Sequence, residues 1–511
     1  MTTPTISTTD PPATTNGHAP HVADPHRQAP PVAQSRDPFG ERLEARTQEI
    51  GLELFRLIGR GPGPLERAYW DNVLMDQALG DPEVKVQLFR FTDALPSLRS
   101  PESIRRHLHE YLDEAGDRVP WFMNLGLELV PPGTLGDRLL AQAARVGATS
   151  MARRFIAGST PDEALRTVLR NRRHNLAFTA DLLGEAVVTE AESDTYLNTC
   201  LDLLRGMAAR LNQQPERPII DRDHRGPIPR LNLSVKLTGL TSRFDPVAVE
   251  ATTNRVMDRL RPLAREAMRL GAFLHLDVEH YAIKNLTFSI FKTLLSEPEF
   301  RAYPHFGIVS QAYLREAERD LIDLNGFIAD RGVPVTIRLV KGAYWDYEVV
   351  HARAMNWPIP VWTEKWRSDA CFERCARYLV DHHERLRPAL GSHNLRSLAH
   401  GLAYAELKGL DPRAVETQVL HGMGEPIARA LVAIGRRVRM YTPYGAMLPG
   451  MAYLVRRLLE NTSNESFLKA SFVDHADQRA LLRDPEEVGA MFWNRKRGAS
   501  IGNSQAKAAA E

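Results

Sequence analysis

Residues 231–237 read LNLSVKL, and at this stretch the chain changes from helical periodicity to short β-rich runs separated by helices. Seven further runs follow: FLHLDVE (273–279), FGIVSQAY (306–313), PVTIRLVKGAYW (334–345), PALGSHN (388–394), ETQVLHGM (416–423), RVRMYTPYG (437–445) and SFLKASFV (466–473). Eight strands that alternate with helices are typical of a (βα)8 barrel. The sequence therefore predicts an α/β protein built on such a barrel.

Polar residues end each of the first seven runs, where a buried parallel strand would otherwise carry apolar side chains. In a barrel the carboxyl ends of all strands meet at one rim, the face where such folds carry out chemistry. One polar strand end is commonly a satisfied structural group, but seven of them in register predict a site. They are Lys236, Asp277, Glu279, Gln311, Arg338, Lys341, His393, Asn394, Gln418, His421 and Tyr441.

The segments on either side of the barrel differ from it in composition. Residues 1–40 contain eight prolines and almost no large apolar side chain, so we expect a disordered tail. Residues 41–225 show helical periodicity throughout, with helix starts at Ser100 and Thr160, each followed by proline, and predict an all-helical arm or wrap domain. The predicted barrel domain covers 226–475, and a partly disordered C-terminal extension covers 476–511.

The composition is that of an ordinary globular protein. Hydrophobic residues make up 43% and charged residues 25% of the 511 residues, and the net charge is +2, so no charge footprint points to nucleic acid or an anionic membrane. The cysteines, at 200, 371 and 375, lack metal-ligand spacing and suit a reducing cytosol, with the last two as neighbours on one helix. No apolar run is long enough to span a bilayer, and no signal-peptide pattern opens the chain.

The rim residues offer cations and amides rather than a nucleophile. No HxH or HExxH pair supplies metal ligands, although His393 and His421 could be two of three, and no GxGxxG follows a strand. The turn HGMGEP (421–426) could hold a phosphate on its backbone N–H groups or be purely structural. VKGAYW (340–345) either lets a flat ring approach the backbone at its glycine or forms an aromatic corner of the core.

Residues 450–460 predict a helix with Arg456 and Arg457 side by side, followed by Glu460. Adjacent arginines on a helix point about 100° apart and can grip one small anion, such as a carboxylate, from two sides. A solvated basic patch is the alternative.

The motifs LNLSVKLTGL, LHLDVE, VSQAY, IRLVKGAYWD, SHN, QVLHGMGEP and YLVRRLLEN, in this order, resemble the proline dehydrogenase domain of proline utilization A. The resemblance covers about residues 170–472, and the region from about 140, including LGEA at 183–186, resembles the helical domain that precedes the barrel in that family. It implies a distorted (βα)8 TIM barrel that binds FAD. The implied activity is oxidation of L-proline to 1-pyrroline-5-carboxylate by hydride transfer to the flavin, the first step of proline catabolism to glutamate, with electrons passed to a membrane quinone.

The resemblance also assigns roles to residues. Arg456 and Arg457 are expected to clasp the proline carboxylate beside Lys236, while Tyr441 and Leu420 pack on the substrate ring. Asp277 and Tyr344 line the pocket, Arg338 lies near the hydride-accepting nitrogen of the flavin, and Glu185 gates the first arginine. The FAD-binding positions are Gln311, Arg338, Val340, Lys341, Gly342, Ala343, Trp345, Thr363, Lys365, His393, Asn394, Gln418, Glu460, Ser466 and Phe467. Glu465 departs from the small hydroxyl residue expected near the adenosine end.

Several expectations remain open. A hydroxyproline dehydrogenase is the nearest alternative, although the bulk of Tyr441 would crowd a 4-hydroxyl group. A flavin-free barrel enzyme and a non-catalytic partner-binding barrel are the others. We expect no room for the aldehyde dehydrogenase half of the bifunctional enzyme, and hence a monofunctional protein. We expect it in the cytoplasm, with peripheral attachment to the inner membrane face as an alternative. A separate pyrroline-5-carboxylate dehydrogenase is the expected partner.

Overall fold

A closed barrel of eight parallel strands forms the centre of the computed structural model, which describes residues 37–59, 84–119 (without 85, 88–89 and 92–93), 133–183, 187–445 and 477–493. The strands are β1 (Leu176–Leu182), β2 (Asn232–Val235), β3 (Phe273–Leu276), β4 (Phe306–Gln311), β5 (Val335–Val340), β6 (Leu386–Gly391), β7 (Glu416–Leu420) and β8 (Arg437–Tyr444). Each strand pairs in parallel with its neighbours in chain order, and β1 closes the ring by pairing with β8 from Leu176↔Val438 to Leu182↔Tyr444.

The eighth strand is not the one predicted. The first seven runs are strands, but the ring closes through LAFTADL at 176–182, which helical periodicity had assigned to the arm, and the barrel begins before residue 226. The run 466–473 lies outside the described residues, and the prediction that it completes the barrel is wrong. Leucine and alanine are good helix formers, so the local pattern favoured a helix. The chain instead leaves the preceding helix at Asn175, whose φ is +57°, and all seven residues of β1 are buried between its two partner strands.

Twelve helices of eight or more residues surround the barrel or precede it within the described residues. They are α1 (Pro38–Ile58), α2 (Pro101–Ala115), α3 (Thr134–Phe155), α4 (Pro161–Arg173), α5 (Glu190–Asn212), α6 (Val249–Arg269), α7 (Tyr281–Ser296), α8 (Ala317–Arg331), α9 (Trp345–Ala354), α10 (Lys365–Asp381), α11 (Leu395–Leu407) and α12 (Glu425–Ala433). A further helix begins at 485 and continues to 493, the end of the described residues. The predicted caps are confirmed: Ser100 accepts a hydrogen bond from Ser103 N (3.2 Å), and Thr160 accepts one from Glu163 N (3.3 Å).

The N-terminal helix α1 belongs to the outer layer of the barrel. It begins at Pro38, slightly inside the segment predicted to be disordered, and its buried residues Leu43, Ile50 and Leu54 join the main apolar core. Glu44 pairs with Arg396 of α11 at 2.7 Å, which fixes α1 against the barrel helices. By contrast, α2 and α3 pack on each other through small apolar clusters of their own.

The C-terminal extension also packs where it is described. Leu482 is fully buried against α1, and a Cβ added to Gly51 would lie 2.4 Å from its Cδ2 atom. Gln48 of α1 donates to the Leu482 carbonyl at 2.7 Å, so this part of the extension is ordered onto the barrel. None of the helices in the described ranges combines the length and apolar character that crossing a bilayer requires.

Candidate active site

Asp277, which follows β3, is the centre of a buried polar cluster at the carboxyl rim of the barrel. Its Oδ1 atom accepts hydrogen bonds from Ser234 Oγ (2.6 Å) and Arg338 Nη1 (2.8 Å), and its Oδ2 atom accepts one from Tyr441 Oη (3.0 Å). These partners come from β2, β5 and β8, so one carboxylate holds together side chains from across the barrel. The predicted convergence of Asp277, Arg338 and Tyr441 is observed.

Lys236 completes this cluster through a residue that the sequence reasoning missed. Its Nζ atom pairs with Asp181 Oδ1 on β1 at 2.5 Å and lies 3.6 Å from Asp277 Oδ2. Burial alone would lower the pKa of Lys236, but the Asp181 carboxylate, together with Tyr441 and Asp277, raises it well above its usual value. The site therefore holds a fixed ammonium charge at its base. The Lys236 backbone N–H donates to Tyr196 Oη at 3.1 Å and anchors the end of β2.

A chain of hydrogen bonds that ends in a charge pair orients Arg338. Its Nε atom donates to Gln418 Oε1 (2.9 Å), and Gln418 Nε2 donates to Glu416 Oε1 (2.7 Å). Arg439 grips the same carboxylate with Nε at 2.8 Å and Nη2 at 2.9 Å. Burial acts to raise the pKa of Glu416, but Arg439 and Arg437 outweigh it and lower the pKa to about 2. The anion of Glu416 thus fixes the amide of Gln418 with its oxygen toward Arg338.

Among the buried polar atoms at the rim that have no hydrogen-bond partner in the described part of the chain, two belong to predicted FAD-binding residues. One is Arg338 Nη2, and the other is Gln311 Oε1, whose own amide nitrogen donates to the carbonyls of Val278 (3.0 Å) and Glu279 (3.1 Å). A buried donor or acceptor without a partner costs about 1–3 kcal/mol. The pair, one donor and one acceptor, suits a ligand with polar atoms along its edge.

The glycine in VKGAYW is required by the backbone. Gly342 has φ +137°, and a Cβ atom there would lie 2.4 Å from Cδ1 of the Tyr313 ring. Val340 ends β5 and Ala343 follows the glycine. Tyr344 is the N-cap residue of α9. The indole of Trp345 donates to the Trp362 carbonyl at 2.8 Å, and its ring is partly exposed.

Lys341 and Lys365, two further predicted FAD positions, converge on one carboxylate. Asp369 pairs with Lys341 through Oδ1 and with Lys365 through Oδ2 at 2.8 Å. Thr363, just before Lys365, donates to Glu364 at 3.0 Å. Asp369 therefore brings Lys365 next to Lys341 at the end of β5, and the role of these residues in binding FAD stays a prediction.

His393, Asn394 and Leu420 lie at the ends of β6 and β7. His393 Nε2 accepts the backbone N–H of Leu420 at 3.0 Å, so this nitrogen already has a structural partner. Asn394 caps α11 by accepting from Ser397 N at 3.2 Å. Leu420 pairs with Tyr441 in the register of β7 and β8, so the two residues are neighbours on adjacent strands.

Three backbone N–H groups of the HGMGEP turn form hydrogen bonds within or next to the turn. Gly422 N donates to Glu425 Oε1 at 2.6 Å, and the N–H groups of Met423 and Gly424 donate to the Leu420 carbonyl at 3.4 and 2.9 Å. These three N–H groups are engaged within the turn itself, which favours the structural alternative for the turn. The glycines are structural: a Cβ at Gly424 would lie 2.6 Å from Val419 Cβ.

Some predicted site residues lie outside the described residues, and their roles stay predictions. They are Glu185, Arg456, Arg457, Glu460, Ser466 and Phe467, together with the departing residue Glu465.

Asp181, Ser234 and Glu416 are the site residues that the sequence reasoning missed. Ser234 and Glu416 each lie two residues before a predicted one, Lys236 and Gln418, and side chains two apart on a strand share a face. That spacing was the available signal. For Asp181 the signal was the same polar strand end, hidden by the helical assignment of β1.

Comparisons with known proteins place this geometry in a family. A family model described as Proline dehydrogenase matches residues 164–470, and one described as Proline utilization A N-terminal domain matches residues 44–155, most of which the resemblance had left unassigned. Bifunctional protein PutA of Klebsiella aerogenes is 29% identical over 362 residues, 69% of this chain and 26% of that protein. Proline dehydrogenase of Deinococcus radiodurans is 27% identical over 329 residues, 64% of this chain and 91% of that protein.

A solved structure agrees with these matches. The crystal structure of proline utilization A from Bdellovibrio bacteriovorus inactivated by N-propargylglycine superposes with a TM-score of 0.78 at 40% identity, covering 87% of this chain and 44% of that one. The present chain thus spans about a quarter of the length of the Klebsiella relative. Because the proline dehydrogenase model matches more than half of the sequence, including all eight barrel strands, the chain belongs to the proline dehydrogenase family.

Proposed function

We propose that this chain is an FAD-dependent L-proline dehydrogenase that forms 1-pyrroline-5-carboxylate. The observation that carries the proposal is the arrangement around Arg338 in a chain that belongs to this family. Its buried guanidinium is fixed by Asp277, Ser234 and Gln418. One of its nitrogens, Nη2, has no partner among the described residues. A fixed cation of this kind stabilises negative charge that develops on a bound group during a reaction.

The described residues fit a flavin. The edge of the isoalloxazine ring carries both acceptors and an N–H donor, and Arg338 Nη2 and Gln311 Oε1 are a complementary donor and acceptor that no described residue satisfies. Gly342 allows close approach to the backbone at the end of β5. The residues that would hold FAD are Gln311, Arg338, Val340, Lys341, Gly342, Ala343, Trp345, Thr363, Lys365, His393, Asn394 and Gln418, joined by Glu460, Ser466 and Phe467. When bound, FAD supplies the two-electron acceptor for oxidation of the amine.

The protein's task in this reaction is mainly placement. We infer that Lys236, with Arg456 and Arg457, holds the carboxylate of proline, and that the Tyr441 ring, Tyr344 and Leu420 enclose its ring. The Lys236 ammonium is buried and lies 3.6 Å from Asp277, so it offers a charge whose position is fixed before substrate binds. The Tyr441 ring is held by the hydrogen bond of its hydroxyl to Asp277 and by the Arg338 guanidinium, whose Cζ lies 4.8 Å from the ring centroid.

The further steps follow from the same assignment. Electrons would pass to a quinone, and the product would be taken by a separate pyrroline-5-carboxylate dehydrogenase. Glu185 would close over bound substrate by pairing with Arg456. Inactivation of the Bdellovibrio relative by N-propargylglycine supports an amino-acid substrate, since the inactivator is itself an N-substituted amino acid.

The experiment is a substrate comparison on purified protein reconstituted with FAD. With a soluble quinone as acceptor, L-proline should turn over well, trans-4-hydroxy-L-proline poorly and D-proline hardly at all. N-propargylglycine should inactivate the enzyme, and saturating L-proline should protect it. A protein that takes up no FAD would exclude the flavoenzyme, and a preference for hydroxyproline would move the assignment to the nearest alternative substrate.

A further inference from the structure

A cluster of two histidines and a glutamate lies at the amino-terminal face of the barrel, opposite the rim just described. His224 occupies the turn of a short antiparallel ribbon formed by Arg222–Asp223 and Gly226–Pro227, which precedes β2. His383 and Glu384 lie in the loop that leads into β6. The ribbon is fixed to this face by Arg437, the first residue of β8, which donates to the Arg222 carbonyl at 3.2 Å.

The three side chains present their ligand atoms to one point. One nitrogen of each imidazole and a carboxylate oxygen of Glu384 all lie within 4.8 Å of one another. Glu384 Oε1 is 3.1 Å from His383 Nε2 and 3.7 Å from His224 Nε2. Ligands bonded to zinc at about 2.1 Å in a tetrahedron are about 3.4 Å apart. The observed separations lie on either side of that value.

The ring nitrogens of His224 form no hydrogen bond within the described residues. Both of these nitrogens are buried. At least one nitrogen of a buried imidazole normally forms a hydrogen bond, so the His224 ring has the capacity to bind a further ligand.

The other two ligands are already oriented for the same task. His383 Nδ1 lies 3.0 Å from the Val380 carbonyl, and donation there leaves the lone pair on Nε2, the nitrogen that faces Glu384. Arg225 binds Glu384 through Oε2 and through its backbone carbonyl at 2.6 Å, which leaves Oε1 toward the histidines. Such outer contacts are how proteins set the tautomer and orientation of metal ligands.

We propose that His224, His383 and Glu384 bind a zinc-class transition-metal dication. Two imidazoles and one carboxylate suit Zn²⁺ and its neighbours rather than Ca²⁺ or Mg²⁺, which prefer oxygen ligands. The ion would join the ribbon before β2 to the loop before β6, and so would clamp the amino-terminal face of the barrel. This site is independent of the proposed proline oxidation.

The test is metal binding to untagged, full-length, FAD-loaded protein that has been stripped with a chelator. His224→Ala and Glu384→Gln each remove a ligand, while His382→Ala removes the neighbouring imidazole, which bonds to the Tyr378 carbonyl and lies outside the cluster. The protein's N-terminal segment contains His18, His21 and His26, so the quantity to compare is the number of Zn²⁺ equivalents relative to the wild type.

Wild type and His382→Ala should bind one more equivalent of Zn²⁺ than the two ligand variants. Any Zn²⁺ that the ligand variants still bind at this site should be held at least about tenfold more weakly than in the wild type. Zn²⁺ should raise their melting temperature and leave those of the ligand variants unchanged. Melting temperature and FAD content without metal serve as the folding control. Should His224→Ala fail to fold, Glu384→Gln decides, since its side chain is exposed. Equal Zn²⁺ binding by wild type and Glu384→Gln, or no binding by the wild type, would overturn the proposal.

Discussion

Tyr441 Oη donates a hydrogen bond of 3.0 Å to Asp277 Oδ2 across the mouth of the barrel. The two residues are 164 residues apart in the chain, Tyr441 on β8 and Asp277 just after β3, and the bond fixes the tilt of the Tyr441 ring. The Arg338 guanidinium packs on that ring. One hydroxyl therefore links the wall of the proposed substrate pocket to the charge network that orients Arg338.

Replacing Tyr441 should change substrate choice. Tyr441→Ser removes the ring and opens room for a hydroxyl group, so we expect kcat/KM for L-proline to fall about 10- to 100-fold while the relative rate with trans-4-hydroxy-L-proline rises. Tyr441→Phe is the matched control, because it keeps the ring and loses only the bond to Asp277. It should retain the wild-type preference. Identical preferences in all three proteins would place Tyr441 outside the substrate pocket.

Asp181 should be needed for stability. It neutralises the buried Lys236, and Asp181→Asn would leave that ammonium with Asp277 at 3.6 Å as its nearest carboxylate among the described residues. Removing one partner of a buried ion pair costs about 3–5 kcal/mol. Asp162→Asn is the control, because its pair with Arg210 is largely exposed and should cost at most about 1 kcal/mol. Urea unfolding at equal FAD content measures both, and similar losses for the two variants would contradict this account.

Much of this arrangement follows from the sequence alone. Lys236, Asp277, Arg338 and Tyr441 were expected to converge because each ends a β-rich run and parallel strands of a barrel end on one rim. The local pattern was sufficient there, since a polar side chain at the end of a buried strand needs polar partners, and the neighbouring strand ends supply them. The prediction of this convergence used only local sequence patterns, and the structure confirms it.

Other features depend on tertiary structure and could not be predicted. LAFTADL has the composition of a helix, and it becomes β1 only because the barrel requires an eighth strand between β8 and β2. The contact between Glu416 and Arg439 depends on the register of β7 against β8, which no local pattern specifies. The place of α1 on the barrel likewise depends on the pair between Glu44 and Arg396, which are 352 residues apart.

Glu416 should make stability sensitive to acid. Its pKa is about 2 in the folded protein against an ordinary value of 4.5, so the unfolded chain binds the proton first as the pH falls. The stability that its charge contributes is complete above pH 4.5 and is lost as the pH falls toward 2.

Glu416→Gln tests this directly. The difference in free energy of unfolding between wild type and variant should be large at about pH 7 and unchanged at about pH 5.5, and it should shrink by about pH 3. Urea titrations at these three values supply the measurement. A difference that stays constant down to about pH 3 would mean that the Glu416 carboxylate is not held ionised by Arg439 and Arg437.

Gly342 should be necessary for flavin binding. Gly342→Ala forces a Cβ into the Tyr313 ring at a backbone conformation that other residues rarely adopt, so we expect loss of FAD and a lower melting temperature. Gly326→Ala, within α8, is the control, because open space surrounds that position and alanine favours a helix by up to about 1 kcal/mol. Full FAD content in Gly342→Ala would show that the flavin does not depend on this turn.

The most direct test of the central claim is anaerobic titration of the FAD-loaded protein with L-proline, followed by visible absorption. The account predicts that the flavin bands bleach and that one 1-pyrroline-5-carboxylate forms per flavin. Arg456→Met and Arg457→Met should need roughly 30- to 1,000-fold more proline for the same initial rate of bleaching, the scale of about 2–4 kcal/mol for losing one partner of a buried charge pair. A spectrum that does not change at saturating L-proline, in protein that carries FAD, would contradict the account.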